Sequence, residues 1–292
     1  MRITPLEIGR NFLADLGILN GDLASLSRQV SSGKRLTDHK DSPAGSAELI
    51  FVAKSEGDID QYRFNSDAGT LYLGAADSTL NEVNNLFTSI YSKGSQAASD
   101  SVNTDARASL AHEVRSLREQ IVSLANSQVN GRYLFAGSAC SAAPFSLDGD
   151  TVVYGGDDAA VSIRIDAGLD VPMSFSGNEV FGSIFAVIDA LLAGMDSDDT
   201  TAIKASLEEF SSALSQLSQM RGRIGAHRST LESVQARLDL RETNLKEQRS
   251  RIEDADMAQA VVQLNQTKTA LDAAMSAGAA VLQQSNLFDI LG

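Results

Sequence analysis

Apolar residues recur at alternating spacings of three and four along much of this 292-residue chain. The first stripe, Leu16, Leu19, Leu23, Leu26 and Val30, with Ile8 and Phe12 behind it, is the seam of a helix lying along a partner. It stops at Ser32-Gly33-Lys34-Arg35, where Gly33 can take the left-handed conformation that closes a helix and the basic pair suits a helix C-terminus. The seam predicts a first helix of roughly 25 residues, about 40 Å long. Ser42-Pro43 reads as an N-cap followed by proline at the first helical position, so a second helix starts there. It runs on through Leu49, Ile50, Phe51, Ile59 and Tyr62, and Gly69 or Gly74 is expected to break it. Leu80, Val83, Phe87 and Ile90 continue the pattern. A turn rich in Ser, Asn and Asp follows between Lys93 and Asp105, and then a seam at Leu110, Val114, Leu117, Ile121 and Leu124.

The texture changes from about Cys140 to Phe181. Asp148-Gly149, Gly155-Gly156-Asp157-Asp158 and Gly168 punctuate short alternating runs such as TVVY and VSIRI, the pattern of hairpins, and the Gly-Gly-Asp-Asp run reads as a hairpin turn. Helical spacing returns at Phe185, Ile188 and Leu192. It continues over a long segment at Leu207, Phe210, Leu214, Leu217, Ile224, Leu231, Val234, Leu238 and Leu245, with Arg221 and Arg228 in the seam, where each is expected to pair with a facing acid. A last helix carries Val261, Leu264, Leu271, Met275 and Leu282, with Lys268 and the small Gly278 in its stripe.

These elements predict a mainly α fold: long terminal coiled-coil helices and a helical-bundle body with a small antiparallel β insert. Residues 1–40 and 254–292 form the terminal, inner coiled-coil domain, residues 41–140 and 182–253 the body, and residues 141–181 a β insert; deleting residues 141–177 with a short linker is expected to preserve the helices. Neither terminal helix carries a complete core, so their seams are natural partners for each other or for neighbouring subunits. The expected assembly interface is Leu16, Leu19, Leu23, Leu26 and Val30 with Val261, Leu264, Leu271, Met275, Leu282, Leu287 and Phe288. Gly33, Ser42, Pro43 and Asp254 form the helix joints.

Composition narrows the function. Lys and Arg number 24 against 38 Asp and Glu, a formal charge of −14 that repels nucleic-acid backbones and anionic membranes. No uninterrupted apolar run approaches the roughly 20 residues of a membrane span, and the N-terminus has no apolar core of signal-peptide length. The single Cys140 has no partner for an intrachain disulfide. His112-Glu113 starts like a zinc-protease motif, but Ser116 stands where the second His belongs. The Gly-rich run at Gly155 lacks the Lys-Ser/Thr of a phosphate loop. His39, His112 and His227 have no acid or nucleophile at a catalytic spacing. No catalytic, cofactor-binding or metal-binding residue is therefore assigned. Glu253, Asp254 and Asp256, crowded before the last helix, are read as its start, with Asp254 as N-cap and the other two complementing the helix dipole. Calcium is the alternative, weakened because a hard cation wants six or more oxygens.

Two segments carry a family resemblance. RIEDADMAQAVVQLNQTKTALDAAMSAGAAVLQQSN, from Arg251, is similar to the C-terminal segment of bacterial flagellins, with its IEDAD joint before a long terminal helix. LSRQVSSGKRLTDHKDSPAGSAELI, from Leu26 to Ile50, resembles their N-terminal segment, with the SSGKRL turn, Asp41 and Ala44-Gly45 in order. The tail SNLFDILG, from Ser285, departs by Ile290 and Gly292 from the Leu-Phe-Asp-hydrophobic-Leu ending of the hook-filament junction branch of the superfamily, yet resembles it more than the Gln/Pro/Asn tail of filament flagellins. NGRYLFAGS, from Asn130, points to the same branch. The resemblance implies a non-enzymatic structural protein, exported unfolded by the flagellar type III apparatus to the extracellular flagellum. It would assemble with itself as a ring at the hook-filament junction, between a hook-associated neighbour and flagellin. A cytoplasmic export chaperone would hold its C-terminal helix beforehand. A short filament flagellin and, more distantly, a cytoplasmic coiled-coil scaffold are the alternatives.

Overall fold

The computed structural model describes residues 5–36, 42–149 and 151–290, with the side chains of 5, 6, 8 and 281–290 left aside. Among the described residues there are six helices and three antiparallel hairpins. The helices are α1 (Pro5–Ser32), α2 (Pro43–Ala97), α3 (Thr104–Ala125), α4 (Gly177–Asp196), α5 (Thr200–Glu253) and α6 (Met257–Ile290). The hairpins pair β1 (Gln128–Val129) with β2 (Arg132–Tyr133), β3 (Phe145–Asp148) with β4 (Thr151–Tyr154), and β5 (Ser162–Asp166) with β6 (Leu169–Pro172). The chain is thus mainly α with a small antiparallel β insert, as its patterning predicts.

By contact the chain divides into two compact units, residues 1–58 with 240–292, and residues 59–239. The divisions fall inside α2 and α5, away from the joints at 40 and 254 that the sequence suggests. The hairpins do not separate as a third unit.

The larger unit is built on an antiparallel pairing of α2 with α5. Along α5 every seventh residue from Ile203 through Phe210, Leu217, Ile224 and Leu231 to Leu238 is at most 1% exposed. Along α2, Ile59, Ser66, Leu73, Leu80 and Phe87 repeat at the same interval and are equally buried. This is the heptad seam of a coiled coil. Its register is fixed by Phe87 stacked on Phe210 with ring centroids 4.4 Å apart, by Arg221 on Asp77 at 3.2 Å, and by the ion pair of Arg63 with Asp239. Arg228 also reaches Asp77, at 3.6 Å, so both seam arginines meet the same facing acid.

Helix α2 passes through Gly69 and Gly74 unbroken, contrary to expectation. Gly69 lies against Leu231, whose Cδ1 would be 3.2 Å from an added Cβ. A glycine in a helix costs about 1 kcal/mol; here it admits a neighbouring side chain, and burial of the surrounding seam offsets the cost. Helix α4 is apolar enough for its length to resemble a membrane span. It is a core helix of this unit: Phe181, Ile184, Ile188 and Leu191 are buried, and its Asp189 accepts from the buried Arg118 of α3 at 2.8 Å.

The β region begins earlier than its sequence texture suggests. Asn130 and Gly131, both with positive φ (51° and 76°), turn β1 into β2, the geometry that favours Asn-Gly in two-residue hairpins. Gly155-Gly156-Asp157-Asp158 is not a hairpin turn; it connects β4 to β5. Its acids are fasteners. The Asp157 carboxylate accepts from the backbone N–H of Ser138 (2.6 Å) and of Ala159 (3.1 Å) and from the Ser138 hydroxyl. These bonds, the Ser138 hydroxyl first, hold Asp157 below the usual carboxylate range. Asp158 accepts from Ser176, whose hydroxyl in turn caps α4.

The insert also contributes to the core. Phe145 on β3 is 4% exposed. Its ring lies 5.5 Å from Phe181 and 5.4 Å from Phe185 on α4, and 5.1 Å from Tyr154. Deleting residues 141–177 would uncover α4. We expect Phe145→Ala to lower the unfolding free energy in urea by about 3 kcal/mol, the cost of a large buried ring. Leu147→Ala, two residues on and 43% exposed, should change it by well under that amount.

Candidate assembly interface

In the smaller unit α1 packs along α6. The direction follows from two anchors. At one end the Ala255 N–H donates to the Gly33 carbonyl at 2.9 Å. At the other the Phe12 ring covers Gly278 so closely that an added Cβ would overlap it. The helices are therefore antiparallel, and at equal rise per residue Leu16, Leu19, Leu23, Leu26 and Val30 stand level with Ala274, Leu271, Thr267, Leu264 and Ala260. All five α1 seam residues are half-buried. On α6 the residues removed from solvent are Ala260, Leu264, Thr267, Leu271, Ala274 and Gly278, a strict four-three repeat.

Of the α6 residues expected at an interface, Leu264 and Leu271 face α1, whereas Val261 and Met275 do not. They are 40% and 50% exposed, and with Met257 at 42% they lie on an open, largely apolar edge, rotated by roughly 80° from the line facing α1 and interrupted midway by the exposed Lys268. Leu282, Leu287 and Phe288 lie outside the described side chains. The small members of the repeat were not singled out from the sequence, because Ala260, Thr267 and Ala274 carry little hydrophobic signal of their own. Their regular spacing around Leu264 and Leu271 was the available clue.

The joints meet. Gly33 has φ +72° and its N–H closes α1 on the Gln29 carbonyl at 2.8 Å. Lys34 and Asp254 form an antiparallel bridge, with the Arg35 N–H donating to the Glu253 carbonyl at 2.6 Å. Lys34 Nζ lies 2.5 Å from Glu253 Oε1, and Arg35 Nη2 donates to the Ile252 carbonyl at 2.6 Å. The basic pair therefore serves the C-terminal turn of α5, not that of α1 as its position suggested. Ser42 does cap α2, accepting from the Gly45 N–H at 3.2 Å, with Pro43 as the first helical residue. Leu36 packs onto Gly45, where an added Cβ would come within 2.9 Å of its Cδ1.

The three carboxylates have separate partners. Glu253 pairs with Lys34. Asp254 accepts from the Ser250 hydroxyl at 2.5 Å and holds the bridge. Asp256, not Asp254, is the N-cap of α6: its Oδ1 accepts from the N–H groups of Ala258 (3.0 Å) and Gln259 (3.1 Å). The physical reason is that the bridge holds Asp254 in extended pairing three residues before the helix begins at Met257. Gln259, three residues after Asp256, supplied the sequence signal of a capping box. Among the described residues no group of three or more His, Cys, Asp or Glu is placed to hold a metal.

An antiparallel terminal helix pair with an open apolar edge, closed by SSGKRL meeting IEDAD, is a recognisable constellation. The bacterial flagellin N-terminal helical region matches residues 10–140 and the C-terminal helical region residues 207–291. The chain belongs to the flagellin superfamily. This is a family of structural components of the bacterial flagellum. Among flagellin-superfamily relatives, the flagellar hook-associated protein 3 of Salmonella typhimurium is 29% identical over 63% of this chain, a match spanning 58% of that protein's length. Its namesake from Escherichia coli is 26% identical, covering 85% of this chain and 87% of the other. Flagellin FlaB1 of Treponema pallidum is 25% identical over 93% of each. The fold is shared with a solved putative flagellar hook-associated protein from Vibrio parahaemolyticus, at TM-score 0.67 and 19% identity, over 73% of this chain and 99% of that one. Xanthomonas campestris FlgL gives 0.63 at 18% identity, over 68% and 99%.

The two aspartates separate in one experiment. Asp256→Ala should destabilise the start of α6 by about 1 kcal/mol and Asp256→Asn by far less, because asparagine caps nearly as well. Amide exchange at Ala258 and Gln259 reads the difference, and Asp254→Asn should leave both amides protected.

Proposed function

We propose that this chain is the adaptor subunit that joins the flagellar hook, through hook-associated neighbours, to the flagellin filament. Family membership supports a flagellar structural role. The junction position is favoured by relatives named hook-associated protein 3 that align over most of this chain, and by the SNLFDILG tail. The single observation that carries the assembly reading is the open apolar edge of α6 at Met257, Val261 and Met275, beside a seam already closed by α1. A surface of that kind on a terminal helix calls for covering by further helices.

In this reading α1 and α6 associate with their counterparts in neighbouring copies as an inner coiled-coil layer, and copies close into a ring. Before export an intracellular chaperone covers the same C-terminal helix, and the chain travels unfolded through the flagellar export apparatus. The acidic charge fits a protein with neither nucleic-acid nor membrane partners. No chemistry is required of it. A short filament flagellin is the second reading, favoured by the full-length likeness to Treponema FlaB1.

Labelled antibody on isolated flagella separates the two. Junction function is expected to give label only at the filament base, and loss of the gene to leave hooks without filaments. Label along the whole filament would favour the flagellin reading. Val261→Asp or Met275→Asp, each placing a charge in the apolar edge, should abolish filament attachment while the helical circular dichroism of the purified chain stays unchanged.

A further inference from the structure

We propose that the larger unit carries a contact between copies of this chain, in which the outer face of α2 around Phe64 and Leu71 in one copy docks on the outer face of α5 around Arg223 and Arg228 in the next. The inference rests on the reading that copies associate side by side, and it names a surface apart from the terminal helices. Phe64 and Leu71 are 72% and 51% exposed. Seven residues apart, they share one side of α2, about 200° around the helix from Ser66 and Leu73 in the buried seam. Asp60 and Asp67, four residues before Phe64 and three after it, flank the ring on that side and are exposed. Asp67 accepts from the neutral Gln235 amide at 3.0 Å, and the neighbouring Arg63 is paired with Asp239. The apolar pair therefore stands in a negative surround.

The outer face of α5 is its complement. From Phe210 to Leu231 this helix has no acid, and it carries Arg221, Arg223 and Arg228. Asp77 is shared by Arg221 and Arg228, and Glu179 pairs with Arg223, so three guanidinium groups meet two carboxylates and the surface keeps positive charge. Between the arginines Gly222, Gly225 and Ala226 are exposed, and a Cβ added at either glycine would meet nothing within 4 Å. Low side chains there let a large ring lie against the helix between the guanidinium groups, which an aromatic face also attracts. The apolar cleft of Tyr91, Leu207, Phe210 and Leu214 offers a second receptor, but Glu208 lines it and Glu209 follows. These acids would face Asp60 and Asp67 of the docking copy, so charge decides for the arginine face. Every copy carries both faces, giving one and receiving on the other, a head-to-tail contact that repeats from copy to copy.

Two single-cysteine chains test the contact, each full length in a Cys140→Ser background, one with Phe64→Cys and the other with Gly225→Cys. Mixed in equal amounts under mild oxidation, they should form the mixed disulfide dimer about fivefold above its statistical share, the factor that one exposed ion pair supplies at its upper range. High salt should remove the excess, as should Arg223→Gln with Arg228→Gln in the receiving chain. Ser211→Cys, beside Glu208, should give only the statistical share when it replaces Gly225→Cys. A statistical yield with Gly225→Cys would overturn the proposal, as would an excess of the Phe64→Cys homodimer, an equal excess with Ser211→Cys, or an excess that high salt leaves unchanged. The mixture holds no other flagellar component, so a statistical yield removes this contact while antibody label at the filament base still decides the junction reading.

Discussion

Six consecutive every-seventh positions of α5, Ile203 to Leu238, are closed off from water, Phe210 and Leu231 among them by a helix that begins more than a hundred residues earlier in the chain. Antiparallel pairing of helices distant in sequence is the constraint that the remaining features serve. In the larger unit the pairing is α2 with α5, registered by Phe87 on Phe210 and by two arginines sharing Asp77. In the smaller unit it is α1 with α6, registered by Phe12 over Gly278 and by the bridge of Lys34 with Asp254. Burial of apolar side chains along such seams supplies the driving force. Glycines and small residues set how closely the helices approach.

The hairpins and turns secure this arrangement. Asp157 and Asp158 tie the link between β4 and β5 to Ser138 and to the first turn of α4, while Phe145 brings the insert into the aromatic cluster of Phe135, Phe181 and Phe185. Arg107, 4% exposed, pairs with Asp198 and also donates to the Ala97 and Val102 carbonyls. One buried guanidinium thus holds the α2–α3 turn against the α4–α5 turn. Removing Asp198 would leave the buried Arg107 charge without its carboxylate partner, which is why this small polar site holds the turns in place.

Periodicity made the helices and their seams legible, because burial on one face repeats at the pitch of the helix. It could not show that α2 would run unbroken, since Gly69 reads the same whether it breaks a helix or admits Leu231. Nor could it tell Asp254 from Asp256 as a cap, because that choice depends on a bridge to Lys34, a residue far away in sequence. The α1 seam was legible, whereas on α6 the sequence does not separate the residues that face α1 from Val261 and Met275: large apolar residues mark two edges of α6, and α1 of the same chain covers only one of them. The insert was recognised as β from its glycines and short alternating runs, but its contribution to the core rests on single rings such as Phe145, which hairpin patterning does not weigh.

The central claim is that the two ends of the chain are held in one antiparallel register, closed at the joints and leaving an apolar edge of α6 open. Cysteine cross-linking in a Cys140→Ser chain tests it most directly. Cysteines at Leu16 and Ala274, which stand level in that register, should join rapidly within one molecule under mild oxidation. A pair at Leu16 and Leu264, ten residues along α6 and roughly 15 Å away at 1.5 Å per residue, should not. Cross-linking of the second pair in preference to the first would contradict the account.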